Sequence, residues 1–135
     1  MSEIIRRIIK SPTAPPAGGP YSQGVQVDRT LYVSGNIGVD PQTGNFAGSN
    51  VTDQARQALK NIGEILKAAG CSYKNVVKTT VFLQDMNDFS AMNEVYQEVF
   101  SDRHPARSTI QVAALPKSAK VEIEVVAIVG DIKEE

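Results

Sequence analysis

The sequence predicts an α+β domain, a single β-sheet with two helices packed on one of its faces. Three patterns carry that expectation. Apolar residues recur every three or four positions through Val51–Ala69, as one helix face requires. Phe89, Met92, Tyr96, Val99 and Phe100 repeat that spacing over Phe89–Ser101. Around both lie short β-branched runs bounded by glycine, proline, asparagine and aspartate, which read as strands. The 135 residues make one domain, 1–135, long enough to hold a core without a disulfide or metal.

At the amino terminus, two readings of Met1–Ser11 stand. Ile4, Ile5, Ile8 and Ile9 fit a β-branched first strand, while Arg6 and Arg7 among isoleucines resemble a mitochondrial targeting helix. Ser11–Pro20 holds four of the seven prolines, so it is a fixed loop. Gly24–Val27 and Thr30–Ser34, separated by Asp28-Arg29, form a tight hairpin. Asp40-Pro41-Gln42-Thr43-Gly44 is a second turn. Asn50 caps the first helix, with Asp53 in its first turn and Gly70 ending it. Val76–Leu83 is a central strand, Asp88 caps the second helix, and Ala106–Ala114 and Lys120–Val129 are the last strands. The order is β-β-β-α-β-α-β-β.

Composition narrows the function. Fourteen basic against fifteen acidic side chains leave no basic surplus for non-specific nucleic-acid binding. A lone cysteine, Cys71, excludes an internal disulfide and a cysteine zinc site, and a lone histidine, His104, argues against a His-rich metal site. No apolar run approaches the roughly 20 residues of a membrane helix. With no secretory pattern, a reducing compartment, the cytoplasm, is expected.

Strand alternation points to a site. In Lys120–Val129, Val121, Ile123, Val125 and Ala127 make the helix-covered face, leaving Glu122, Glu124, Val126 and Ile128 on the other. If Ser108, Ile110 and Val112 also face the helices, then Arg107, Thr109 and Gln111 share the face of Glu122 and Glu124. Apolar residues on that second face mark an interface with other copies of the chain. Arg107 and Glu122 would line a half-buried cleft there, or form a cross-strand salt bridge. Arginine's planar fork pairs a carboxylate through two parallel hydrogen bonds, each worth about 1.5–3 kcal/mol. A half-buried glutamate can activate a water. Ser34-Gly35-Asn36-Ile37-Gly38 reads as a strand end with free N–H groups that could take a carboxylate. Tyr21, after Gly18-Gly19-Pro20, covers a pocket or simply packs. Asn93 faces the sheet or solvent. His104 reads as a loop residue and Cys71 as a small buried side chain.

At these residues the chain resembles the Rid (YjgF/RidA) family of reactive-intermediate deaminases, in its RidA branch. The likeness runs from about Pro15 through Gly19-Pro20-Tyr21-Ser22-Gln23-Gly24, Tyr32-Val33-Ser34-Gly35 and Val77-Lys78-Thr79-Thr80-Val81. Its most specific piece is Pro105-Ala106-Arg107-Ser108, followed by Leu115-Pro116-Lys117 and Val121-Glu122-Ile123-Glu124. Ala14–Gly35 and Ala68–Lys78 are most similar to animal members. The resemblance implies a chorismate-mutase-like fold assembled as a homotrimer, with clefts between subunits. It implies hydrolysis of 2-imino acids and their enamine tautomers, such as 2-iminobutanoate and 2-iminopropanoate, to 2-oxo acids and ammonia. These substrates escape from pyridoxal-phosphate dehydratases, and the protein itself needs no cofactor.

By that resemblance Arg107 holds the substrate carboxylate and Glu122 orients water or moves its proton. Tyr21 closes the pocket, and Ser34, Gly35, Asn93 and Thr109 shape it. Many bacterial members carry cysteine where this chain has Thr109, so a thiol nucleophile is absent at that position. Glu124 shares Glu122's face, and spacing alone does not divide their work. Some members are described as endoribonucleases acting on single-stranded RNA, as translation inhibitors or as chaperone-like protein-binding modules. Those readings form the alternative.

Overall fold

The predicted order of elements is the order observed in a computed structural model that describes Ser2–Glu135. The strands and helices are β1 (Arg6–Ile9), β2 (Gly24–Val27), β3 (Thr30–Asn36), α1 (Val51–Ala68), β4 (Val76–Leu83), α2 (Phe89–Val99), β5 (Ala106–Gln111) and β6 (Val121–Ile128). Single 3₁₀ turns lie at Tyr73–Asn75, Met86–Asp88 and Pro116–Ser118. Of the two readings of the amino terminus, the strand is the one seen: Arg6–Ile9 pairs antiparallel with β2.

One six-stranded sheet runs in the order β1-β2-β3-β6-β4-β5. All neighbours are antiparallel except β4 and β5, which are parallel with α2 as their crossover. The last strand therefore enters between β3 and β4, and β5 is left at the edge. This explains why β5 stops at Gln111 and not Ala114: its only partner, β4, ends at Leu83, opposite Gln111.

α1 forms because its apolar stripe has somewhere to go. Ala55, Ala58, Leu59, Ile62 and Leu66 are fully buried against Leu31, Val33, Val121, Ile123, Val125 and Ala127 of the central strands. Asn50 caps it as expected, its side chain accepting from the Asp53 N–H at 2.8 Å. Gly70 follows with φ +77°, the left-handed step that ends the helix. The expected Asp88 cap is absent. Asp88 already sits in the preceding 3₁₀ turn, and Asp85 caps that turn by accepting from the Asn87 N–H at 2.8 Å.

The register reverses one expectation. β4 pairs Thr79 with Arg107 and Val81 with Thr109, and Thr79 and Val81 are fully buried beneath the helices. Paired residues share a face, so Arg107, Thr109 and Gln111 lie on the helix side. Ser108 and Ile110 lie on the open side, level with Thr80 and Phe82. Glu122 pairs with Phe82 and Glu124 with Thr80, so both carboxylates are on the open face. Polarity misled because β5 is an edge strand: its helix-side residues lie at the rim, where a polar side chain still reaches solvent. The cross-strand Arg107–Glu122 pair is ruled out for the same reason, since β4 separates the two strands.

The open face carries Ile8, Val25, Tyr32 and Val126 in one row, with Phe82, Ile110 and Ile128 nearby. Ile8, Tyr32 and Ile110 are each about half exposed. No helix among the described residues is long and apolar enough to cross a membrane.

Gly38 holds the loop after β3 against α1. A Cβ there would collide with the backbone of Gln54 in the first turn of α1. Helix backbone cannot retreat, so Gly38→Ala should cost about 1–3 kcal/mol. Urea unfolding at fixed protein concentration checks this, and an unchanged midpoint would contradict it.

Candidate functional site

Two clefts hold most of the residues selected from sequence, though not Glu122 or Thr109, and they sit on different parts of the molecule. The first lies where β3 ends. The side chain of Gln23, nearly buried, ties the proline-rich loop to the sheet. Its Oε1 accepts from the Ser11 N–H at 2.6 Å, and its Nε2 donates to the carbonyls of Ser11 at 3.2 Å and Pro15 at 2.7 Å. Ser34 closes the other side, its hydroxyl donating to the Ser22 carbonyl at 2.6 Å. The Ser34 N–H is also taken, by the Gln23 carbonyl at 3.0 Å, so it is not the free donor expected. This clamped loop presents Tyr21, whose hydroxyl accepts from the Gly18 N–H at 3.2 Å while more than half of the residue stays exposed. Tyr21, Ser34, Gly35 and Lys117 line a cleft of about 390 Å³ with Pro15 and Pro16.

Glu122 of β6 does not line this cleft, but its carboxylate lies against Gly35, which does. A Cβ on Gly35 would occupy the place of the Glu122 carboxylate, so glycine is what lets that carboxylate lie across β3. Burial pushes the Glu122 carboxyl above the ordinary range, and the neighbouring Glu124 carboxylate pushes the same way. A carboxylate that holds its proton more tightly is a stronger base once ionised.

The second cleft, of about 450 Å³, is lined by Asn93, Tyr96, Gln97, Phe100, His104, Pro105 and Arg107. Arg107 is half-buried. One guanidinium nitrogen donates to Asn93 Oδ1 at 2.7 Å. The guanidinium carbon sits 4.7 Å from the Tyr96 ring centre and 5.5 Å from that of Phe89. Ion pairs among the described residues are Arg56–Glu98 and Arg103–Glu134, so no carboxylate answers Arg107. A cation half out of water, held by an amide and two aromatic faces, has the chemistry to receive an anion.

Thr109 also belongs to this side, but its hydroxyl is buried without a hydrogen-bond partner. His104 is exposed, as expected of a loop residue. Cys71 is buried, and burial raises its thiol pKa. Two other clefts, of about 470 and 620 Å³, contain none of the sequence-selected residues.

Tyr21, Ser34 and Gly35 thus line one cleft, with Glu122 against Gly35, and Asn93 and Arg107 line the other, with Thr109 on the same face of β5 but outside that lining. Sequence reasoning treated Phe89 and Tyr96 as core alone. Their spacing with Asn93, at i, i+4 and i+7 on one helix, puts all three on the stripe that meets Arg107. Gln23 was missed as well. A buried amide beside a proline-rich loop leaves no periodic signal.

A family model described as Endoribonuclease L-PSP matches residues 11–129. A human protein named 2-iminobutanoate/2-iminopropanoate deaminase is 58% identical over 98% of this chain and 96% of its own. The crystal structure of Escherichia coli TdcF with bound serine is 46% identical, covers 92% of this chain and 99% of that one, and has a TM-score of 0.88. The Escherichia coli YjgF gene product is 43% identical over 92% and 99% of the two chains, also at a TM-score of 0.88.

The orphaned Thr109 hydroxyl yields a stability prediction. An unpaired buried hydroxyl costs about 1–3 kcal/mol, and valine has nearly its shape. Thr109→Val should therefore leave stability unchanged or raise it by up to that amount. A loss above about 1 kcal/mol in urea unfolding would show that the hydroxyl has a partner.

Proposed function

The chain belongs to the L-PSP (YjgF/RidA) family, and we propose that it is a 2-iminobutanoate/2-iminopropanoate deaminase whose site is completed between two copies of itself. Near-complete coverage at 58% identity to a deaminase supports the activity more strongly than the family-wide endoribonuclease description. The absence of a basic surplus points the same way. The observation that carries the site is Arg107, half-buried in neutral surroundings with no carboxylate of its own chain. Serine, bound by TdcF, carries the same carboxylate as a small 2-imino acid.

Within one protomer Arg107 and Glu122 lie on opposite faces of the sheet. Each cleft alone is half of a hydrolytic site. The open face of each sheet carries exposed apolar residues that a second copy would cover. A closed ring of three copies, as the family resemblance implies, sets the Arg107 cleft of one against the Glu122 cleft of the next. In that arrangement Arg107 holds the carboxylate of the imino acid through paired hydrogen bonds. Asn93 fixes the guanidinium, and Tyr21, Ser34 and Gly35 shape the opposite wall, with Thr109 behind Arg107.

The imine carbon is already electrophilic, so catalysis is largely orientation. Glu122 takes a proton as water adds to that carbon, and the C=N bond becomes a C–N single bond. That proton passes to nitrogen, giving a carbinolamine; Glu122 then takes the hydroxyl proton and delivers it to nitrogen, the C–N bond breaks as the carbonyl forms, and ammonia and a 2-oxo acid leave with Glu122 ionised again. Every electron pair is accounted for by water and substrate, so no cofactor enters. A reducing compartment such as the cytoplasm suits a chain whose lone thiol is free.

Two experiments test this. Arg107→Ala and Glu122→Gln should each abolish the acceleration of 2-oxo acid release, over the spontaneous rate, from imine generated in situ. Mixed, dissociated and reassembled, the two inactive variants should recover activity, because some junctions then join an intact Arg107 to an intact Glu122. No recovery in mixed assemblies would place the pair within one chain's site and contradict the proposal. The pH profile gives the second. Glu124 opposes ionisation of Glu122, so removing its charge lets Glu122 lose its proton at lower pH. Glu124→Gln should shift the acid limb of kcat/KM to lower pH; an upward shift would contradict Glu122 as the base.

A further inference from the structure

We infer that Tyr96 is a positioning residue for Arg107, the face of its ring fixing the guanidinium in place before the substrate carboxylate arrives. This rests on the proposed role of Arg107 as carboxylate receptor. Four observations support it. The guanidinium carbon lies nearer the Tyr96 ring, at 4.7 Å, than any other aromatic group it meets. Tyr96 is only 5% exposed, and its hydroxyl is anchored at the far end by Thr79 Oγ1 at 2.8 Å, itself fully buried. The ring is packed from another side by Phe100, with centres 4.7 Å apart. Asn93 takes one guanidinium N–H, the one side-chain hydrogen bond Arg107 makes among the described residues, so other donors stay free on a side chain that lines the cleft.

The chemistry of this cradle is informative. A free arginine side chain carries about 2 kcal/mol of rotamer entropy, which a ligand must otherwise remove on binding. An acidic partner would fix the side chain too, but it would neutralise the charge the ligand needs. A ring face holds the cation without competing for its hydrogen-bond donors. Tyr96 does this from a rigid support, since Thr79 belongs to β4, the strand paired with β5 at Arg107 itself. Support and receptor therefore move together. A tyrosine serving only the core would have no need to present its face to a cation at the rim.

The test uses the full-length protein and 2-oxobutanoate, the stable product, as probe. Tyr96→Phe keeps the ring and loses the Thr79 bond; its Kd for 2-oxobutanoate should stay within about threefold of wild type, although its Tm falls. Tyr96→Leu removes the ring, and its Kd and KM should rise about tenfold or more while kcat stays within about threefold. Wild-type affinity in Tyr96→Leu, or equal losses in Tyr96→Phe and Tyr96→Leu, overturns the inference. Should Tyr96→Leu fail to assemble, the Arg107 Nε–H resonance of the wild type decides. A ring-current shift upfield supports the cradle, and the shift of a free arginine refutes it. Arg107→Ala separates the two levels: if it binds 2-oxobutanoate normally, the receptor reading itself fails. If it loses binding while Tyr96→Leu does not, only the positioning role fails.

Discussion

A guanidinium kept half out of water without a counter-ion is the constraint around which the rest of this molecule is arranged. Such a charge is costly to hold unless its hydrogens and its faces are occupied. Here α2 supplies both, through Asn93 and the rings of Phe89 and Tyr96. α2 is in turn the crossover that lets β4 and β5 run parallel. That parallel pair places Arg107 opposite the buried Thr79, which anchors Tyr96. Fold and receptor are one construction: the connection that completes the sheet also brings the cradle to the arginine.

The acid side is built by a different device. It depends on close approach, and only glycine at position 35 leaves room for the Glu122 carboxylate. The loop bearing Tyr21 has no helix or strand of its own and is held by one buried amide, Gln23, through three hydrogen bonds. One proposed half-site is made by helix packing at a sheet edge, the other by loop clamping at a strand end. Their separation on one chain is what makes assembly part of the proposed chemistry and not merely a gain in stability.

Much of this was legible in the sequence. The helical stripe of Val51–Ala69, the Asp28-Arg29 hairpin and the β-branched Val76–Leu83 run each named their element, because local periodicity and turn chemistry agreed with the fold. The candidate site residues were proposed by resemblance, through the Pro105–Ser108 and Val121–Glu124 motifs. What alternation could not deliver was the face of β5. Parity passes from strand to strand only through the ladder, and the neighbour of β5 is β4, not β6. An edge strand also relaxes the rule that polar means outward. The Tyr96–Thr79 bond was hidden for a related reason: it joins residues 17 apart through a crossover whose geometry no local pattern encodes.

The account stands most directly on where the two half-sites meet. A crystal structure of the assembled protein with a 2-oxo acid bound measures this in one step. It should show the ligand carboxylate on Arg107 of one copy and its 2-carbon beside Glu122 of a neighbouring copy, Tyr21 covering both. A ligand contacting Arg107 with Glu122 remote in every copy, or a monomer with its open sheet face bare to solvent, would contradict the account.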